Sequence, residues 1–406
     1  MAVVQKKGHP WMVGGGGIGC SPSRLMAKQQ QTLFRTIVAL TIIILPWILF
    51  YRVSEKDEAL AESELNQSSS TSATIKTATD FSQFRPQSMM RDDDSSSFQP
   101  QPGCNATGFC HESPWIPSPR TEYSSWSYER YHHWWTEAAF LNHSAQEFYS
   151  AIASKDQAEA SKNSKRPIIF LGDSIFEGYK SSDPVFVQDI WGGQMSPRNE
   201  GVGETLSNLL PDSSYLKPLI LAISGDQTQH LLYRLLFGGG LPFDAKHKLS
   251  EDAVFVMLIG TNNLGNGEKP AKVARGILTI AELLLQQTPT GTSILIYPVL
   301  PRSDQYFLNR ICPPACSKSN DGAPLTSFRP AIEKVNTVVQ QTLQKYPDRY
   351  PPERVIFPKD CANHFWHSDE SSKHKVRKEW MMDELHPNKD GHAMLIRECL
   401  LPFLPE

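Results

Sequence analysis

The chain has 406 residues, with 40 basic against 43 acidic side chains and 40% hydrophobic content. Near-balanced charge without a long basic stripe argues against nucleic acid as the main partner. The apolar content suffices for one substantial core, and no internal repeat is present.

Residues 1–35 carry five Lys or Arg (Lys6, Lys7, Arg24, Lys28, Arg35) and no acid, followed by an uncharged run from Thr36 to Tyr51 that is bounded by Arg35 and Arg52. A span needs about 20 residues. Counted from Leu33 to Val53, with both arginines snorkelling to the interfaces, the length is adequate, and Pro46 is tolerated there. The reading is a basic tail over 1–32 and a transmembrane signal-anchor helix over 33–53. A buried core helix would need neighbouring sequence to cover it, and the n-region is too long for a cleaved signal peptide. A plastid or mitochondrial presequence is the minor alternative. The far flank, RVSEKDEALAESE, is acidic, so the basic side stays cytoplasmic and the C-terminal part is luminal or extracellular, as in a single-pass type II membrane protein.

Three N-x-[S/T] sequons, at Asn66, Asn105 and Asn142, follow the span and agree with that orientation. Six of seven cysteines also lie beyond it, with Cys104/Cys110 and Cys312/Cys316 as close pairs suited to local disulfides. Zinc competes for Cys312/Cys316, but a second pair at finger spacing is missing. Residues 54–115, rich in Ser, Thr, Gln, Asp and Pro, read as a disordered stem. An aromatic-rich lead-in covers 116–165, and a folded domain covers 166–406.

Within that domain, apolar runs at 167–171, Leu219–Ile223, Ala253–Ile259, Ser293–Val299 and Arg354–Phe357 predict parallel strands buried on both faces. A helix after the second strand has Asp226 as N-cap and Gln229 completing a capping box, and another opens with Pro270. A third spans about Phe328 to Lys345, and a last one runs from Asn388 to near Leu401. This alternation predicts a three-layer α/β domain with its active site at the carboxyl ends of the strands.

Four motifs sit at that edge. Gly172-Asp173-Ser174 puts a serine at a strand-to-helix turn, suited to a nucleophile, although Asp or Ser is also an ordinary N-cap. There is no G-x-S-x-G elbow, so the ordinary α/β-hydrolase pattern is not met. Ser224-Gly225-Asp226 offers a backbone N–H at a sharp turn. Gly260-Thr261-Asn262-Asn263 offers an amide that can donate to an oxyanion. Asp383-Glu384-Leu385-His386 lets one short loop present a carboxylate to the Nδ1 of His386, leaving Nε2 free for Ser174. Taken alone, each has an ordinary loop or cap explanation.

In this order, the four resemble the blocks of the SGNH (GDSL-type) hydrolase superfamily. GDQTQHLLYRL (225–235), VFVMLIGTNN (254–263) and VLPR (299–302) resemble its intracellular platelet-activating-factor acetylhydrolase branch. The resemblance covers roughly 167–401. It implies a five-stranded, flavodoxin-like parallel sheet, a Ser174–His386–Asp383 triad, and an oxyanion hole from Ser174, Gly225 and Asn262. The general superfamily has Asp after the third-block Asn, where this chain has Asn263. The region from Tyr179 to Lys217 is enlarged, and the anchor and stem depart from those cytosolic enzymes.

The expected activity is hydrolysis of short acyl esters, with acetylated lipid or glycan as small substrate and no metal or cofactor required. A luminal carbohydrate O-acyl esterase or transferase, and a non-catalytic tethered binding protein, are the alternatives. His364, His367 and His374 match no common metal-site spacing and read as a solvated loop. VGGGGIG lacks the strand and helix a nucleotide fingerprint needs. His230 and Arg234 read as packing or surface contacts.

Overall fold

In the computed structural model the described residues are 112–121, 128–156, 165–210, 214–242, 244–304, 327–367 and 375–404, all within the compact unit Asp93–Glu406. The expected span at 33–53, most of the stem, Asn66, Asn105, Cys104, Cys110, Cys312, Cys316, His374 and VGGGGIG lie outside them. Among the described residues no helix is long and apolar enough to cross a membrane.

A long helix, α1 (Tyr128–Asp156), leads in. Then follow β1 (Ile168–Gly172), a one-turn helix α2 (Ser174–Glu177), α3 (Pro184–Asp189), α4 (Val202–Leu209), β2 (Leu219–Ala222) and α5 (Thr228–Leu236). The chain continues through β3 (Val254–Leu258), α6 (Thr261–Gly265), α7 (Pro270–Gln287), β4 (Ser293–Ile296), α8 (Arg329–Lys345), β5 (Val355–Ile356) and α9 (Lys389–Met394). The five strands are all parallel, in the order β2-β1-β3-β4-β5. This is the flavodoxin-like order, whose switch point beside β1 opens a crevice at the strand carboxyl ends. Every residue of β1 and β3 is buried, as expected for strands covered on both faces. α7 packs against α8, and α4 against the C-terminal helix, on either side of the sheet.

Element boundaries differ from expectation where side-chain partners decide them. Asp226 does not cap α5. Its carboxylate is taken by Trp134 Nε1 (2.7 Å) and by Arg234 (2.7 Å), so the helix starts one residue later. Gln227 is the cap, and its N–H donates to His230 Nδ1 at 3.2 Å rather than to Gln229. The last helix begins at the Asn388 cap as expected, but after Met394 it widens over Leu395–Leu400 and tightens over Leu401–Phe403. Ordered contacts also begin before Trp115. Thr228 Oγ1 donates to Pro114 O (2.8 Å), and Glu112 lies 3.2 Å from His230 Nε2. Residues 112–121 thus form a strap along α5. A disulfide missed in the sequence, Cys361–Cys399 with Cα atoms 5.7 Å apart, ties the chain before the 383–386 loop to the Leu395–Leu400 continuation of α9.

Candidate active site

β1 ends at Gly172, where an added Cβ would lie 2.6 Å from Leu258 O, so only glycine lets β1 and β3 close up there. The next residue, Asp173, is the N-cap of α2, and its Oδ1 accepts from Ile175 N at 3.1 Å. Because Asp173 fills the capping role, the Ser174 hydroxyl is released from it. Ser174 Oγ instead lies 2.8 Å from His386 Nε2.

His386 comes from the loop before α9. Asp383 Oδ1 accepts from the N–H groups of Leu385 (3.0 Å) and His386 (2.7 Å), while Oδ2 lies 2.6 Å from His386 Nδ1. The intervening Glu384 has φ 62°, a left-handed conformation uncommon for a non-glycine residue. It is clamped there: its carbonyl accepts from Ser303 N (2.9 Å), and its carboxylate from Ser303 Oγ (3.1 Å) and Lys378 (2.6 Å). This turn is what lets a three-residue spacing fold the carboxylate back onto its own histidine.

Burial pushes the Asp383 carboxyl up, but the His386 hydrogen bond and charge, with the two N–H donors, prevail and hold it at about 2. As an ionised acceptor it fixes the proton of His386 on Nδ1, which turns the Nε2 lone pair toward Ser174. Burial also lowers the His386 pKa below its ordinary value against the pull of Asp383, and the Arg198 charge lowers it further. The imidazole is therefore neutral at pH 7, the form able to accept a proton. Arg198 Nη1 lies 3.3 Å from Nδ1. With a proton on both atoms this is a charge contact, not a hydrogen bond.

The other strand ends complete the arrangement. Gly225 follows β2 with φ 78°, so the backbone there favours glycine, and a Cβ on it would lie 2.4 Å from Arg120 Nη2 and push that guanidinium aside. Asn262 follows β3, and its Nδ2 donates to Asp226 O (2.9 Å) and, at greater length, to Asp173 Oδ2 (3.3 Å). Asn263 points away. It accepts from Thr228 N and donates to Gln229 Oε1, each at 3.0 Å, joining the loop after β3 to α5. Burial raises the Asp173 carboxyl to about 7, against the Ile175 N–H and with help from Asp226.

Ser174, Gly225, Asn262, Asp383 and His386 all line one cleft of about 910 Å³. The enlarged 179–217 region forms one wall, through Trp191 and Arg198 among others. Arg302 of VLPR is buried and donates to Thr261 O (2.8 Å) while pairing with Asp304 (2.6 Å), bracing the turn that carries Asn262. His230 is fully buried and Arg234 pairs with Asp226, which makes both packing residues. His364 is exposed, and among the described residues no three His, Cys, Asp or Glu side chains are grouped to hold a metal.

Sequence reasoning missed Arg120, which lines the cleft from the strap, and a buried cluster beneath it. There Lys180 Nζ donates to Glu137 Oε1 (2.8 Å) and Ala222 O (2.5 Å), and Glu177 Oε1 accepts from Ser224 N (2.8 Å). The aromatic cluster of the lead-in was the available signal. Trp134, on α1, is wholly buried against His230 and Tyr233 of α5, and a helix so anchored carries its polar neighbours into the core.

Two curated relatives, the platelet-activating factor acetylhydrolase IB subunit alpha1 of Pongo abelii and that of Bos taurus, are each 25% identical over 237 residues. Each match covers 58% of this chain and 75% of the relative. The crystal structure of Axe2, an acetylxylan esterase from Geobacillus stearothermophilus, is 15% identical, with a TM-score of 0.36 over 59% of this chain and 94% of that one. The model of the GDSL-like Lipase/Acylhydrolase family matches residues 170–394, more than half the chain, from within β1 to the end of α9. The chain therefore belongs to the GDSL-like lipase/acylhydrolase family and is a carboxylic ester hydrolase.

Proposed function

We propose that this enzyme hydrolyses short-chain acyl esters, acetyl foremost, through an acyl-enzyme on Ser174, with its catalytic domain held on the luminal or extracellular side of a membrane. The observation that carries the mechanism is the unbroken hydrogen-bond chain from Ser174 Oγ through His386 to Asp383, at 2.8 and 2.6 Å. Ser174 Oγ attacks the ester carbonyl carbon as its proton passes to His386 Nε2, and Asp383 stabilises the imidazolium. The backbone N–H groups of Ser174 and Gly225 and the Asn262 amide hold the oxyanion, with Asn262 giving up its longer contact to Asp173. The intermediate collapses, the alcohol leaves with the proton from His386, and water attacks the acyl-enzyme with His386 again as base. The acid and the free serine are the products.

The short-acyl preference draws support from the acetylhydrolase relatives. The membrane placement draws on the basic head and the apolar run at 33–53, and the Cys361–Cys399 disulfide fits an oxidising compartment. A fluorophosphonate probe should label the parent protein and not Ser174→Ala, and p-nitrophenyl acetate should be hydrolysed faster than the palmitate. Labelling that survives Ser174→Ala refutes the mechanism, and a palmitate preference refutes the short-acyl claim. Protease added to sealed microsomes should spare residues beyond about 53. Digestion of the catalytic domain refutes the topology.

A further inference from the structure

The strap places one side chain that the proposed chemistry does not use. Arg120 is 8% exposed, lines the cleft, and lays Nη2 against Gly225, while its Nε is buried without a hydrogen-bond partner. Its position is fixed from both sides. Ser118 N donates to Gln229 O (3.2 Å), Thr228 Oγ1 holds Pro114 O, and the Trp115 ring lies under the Arg275 guanidinium at 4.2 Å. A buried guanidinium is tolerated when an opposite charge meets it. Here burial disfavours the charge while Asp226 and Glu137 favour it from nearby, but those acids make their ion pairs with other residues. Asp226 pairs with Arg234 and Glu137 with Lys180. Burial and the nearby Glu137 push the Glu177 carboxyl well above the usual range, and its Oε1 is taken by Ser224 N at 2.8 Å.

The rest of the cleft has the same imbalance. Arg198 lines it on the other side of Ser174, and the lining acids Asp304 and Asp383 are held by other partners. Asp304 is taken by Arg302 and Asp383 by His386. Arg198, beside the histidine, also has a buried Nε without a partner. Positive charge is thus in surplus on both the Gly225 and His386 sides of Ser174, and it is held in place before any substrate arrives.

We propose that the cleft recognises acyl esters carrying an anionic group, a carboxylate or a phosphate, which Arg120 binds beside the scissile acyl group with Arg198 adding charge. Arg120 lies outside the family-matched residues 170–394, so the main anion contact comes from a part of the chain the family pattern does not define, while Arg198 lies within it. The inference rests on the esterase reading with Ser174 as nucleophile.

The test compares ester pairs that differ only in charge, using the full chain. One pair is an O-acetylated methyl galacturonoside and the matching methyl galactoside; the other is acetylated glycerol phosphate and monoacetylglycerol. An Arg-to-anion contact of ordinary strength predicts a kcat/KM advantage of roughly tenfold or more for an anionic member, carried mainly by KM and shrinking with salt. An advantage in the first pair alone assigns a carboxylate, in the second alone a phosphate, and in both their shared charge. Arg120→Gln should lower kcat/KM for the anionic ester about tenfold more than for its neutral partner, and Arg120→Lys should restore part of the difference. Free galacturonate or inorganic phosphate should inhibit p-nitrophenyl acetate hydrolysis competitively. If Arg120→Gln does not fold, the parent's ester ratios and this inhibition decide. Equal rates within both pairs overturn the proposal, as does an Arg120→Gln that slows charged and neutral esters by one common factor. Absence of probe labelling at Ser174 is a separate result, and it removes the esterase reading itself.

Discussion

The turns after β1, β2 and β3 and the 383–386 loop differ from the N-terminal strap and α1 in how they bring polar groups to the cleft. In the turns, backbone geometry decides. Gly172 lets two strands close up, Gly225 adopts φ 78°, and Glu384 is held at φ 62°. The side chains there meet within one short loop or across adjacent strand ends, and the one distant contact, Ser174 to His386, joins two such turns. In the strap and α1, long side chains decide, reaching partners far along the chain: Trp134 to Asp226, Lys180 to Glu137, Glu112 to His230. The first arrangement suits a reacting centre, whose atoms must be fixed within tenths of an ångström. The second suits a wall, whose shape and charge can change while that centre is kept.

That comparison fails most visibly if the motif turns are not the reacting centre. Ser174→Ala and His386→Ala should each lower kcat by about 10⁴-fold or more, to similar residual rates, because serine and histidine act as one unit. Both should keep the parent melting temperature, since neither side chain carries core packing. Stopped-assay kinetics beside a thermal melt check this, and a Ser174→Ala that turns over near the parent rate breaks it.

The wall should behave in the opposite way. Trp134 is 0% exposed and donates to Asp226 at 2.7 Å. Trp134→Ala should cost about 3–5 kcal/mol of stability, which lowers Tm by on the order of 10 °C. The nucleophile should remain reactive toward a fluorophosphonate at temperatures where the variant is folded. If stability is unchanged but labelling disappears, α1 belongs to the reacting centre and the division drawn here is wrong.

Asn262 tests the boundary between the two roles, because its amide also holds Asp226 O at 2.9 Å. Loss of one oxyanion donor costs roughly 10²–10³ in kcat. Asn262→Ala should show that loss with KM nearly unchanged. A loss confined to KM or to Tm would make the residue a brace for the turn and leave the oxyanion to two backbone N–H groups.

The same division explains what could be read from the sequence. The buried strands announced themselves as unbroken apolar runs, and all five were found near their places, although β5 is only two residues long. Ser174, Gly225, Asn262, Asp383 and His386 stand at strand ends or within one short loop, so the strand–helix alternation and the resemblance of the four motifs to known blocks together pointed to the one cleft they line. Asp226 was misread as a cap because its partners, Trp134 and Arg234, are 92 and eight residues away, and only the fold reveals that they claim it first. Arg120, the Glu137–Lys180 pair and the Cys361–Cys399 disulfide were invisible for the same reason. A long side chain or a sulfur atom with a distant partner leaves no periodic trace.

The smallest effect concerns acid and the motif loop. The Asp383 carboxyl is held at about 2 in the fold against an ordinary 3.8, chiefly by His386 and two backbone N–H groups in opposition to burial. A carboxyl with a depressed folded pKa adds stability that is present above pH 3.8 and lost as pH falls through about 2. Taken at face value the depression corresponds to about 2.5 kcal/mol. The side chain is 41% exposed, however, so solvent screening reduces this to about 1 kcal/mol. Asp383→Asn removes the charge while keeping shape and one acceptor oxygen. Urea melts at pH 7 should place the variant about 1 kcal/mol below the parent, and the gap should close by pH 2, where the parent carboxyl is itself becoming protonated. Activity should fall far more than stability at pH 7, since an amide no longer fixes the imidazole proton on Nδ1. A stability gap that stays the same from pH 7 to pH 2 would mean that the loop is held by its backbone turn and the Glu384 clamps, and that the carboxylate contributes to the reaction alone.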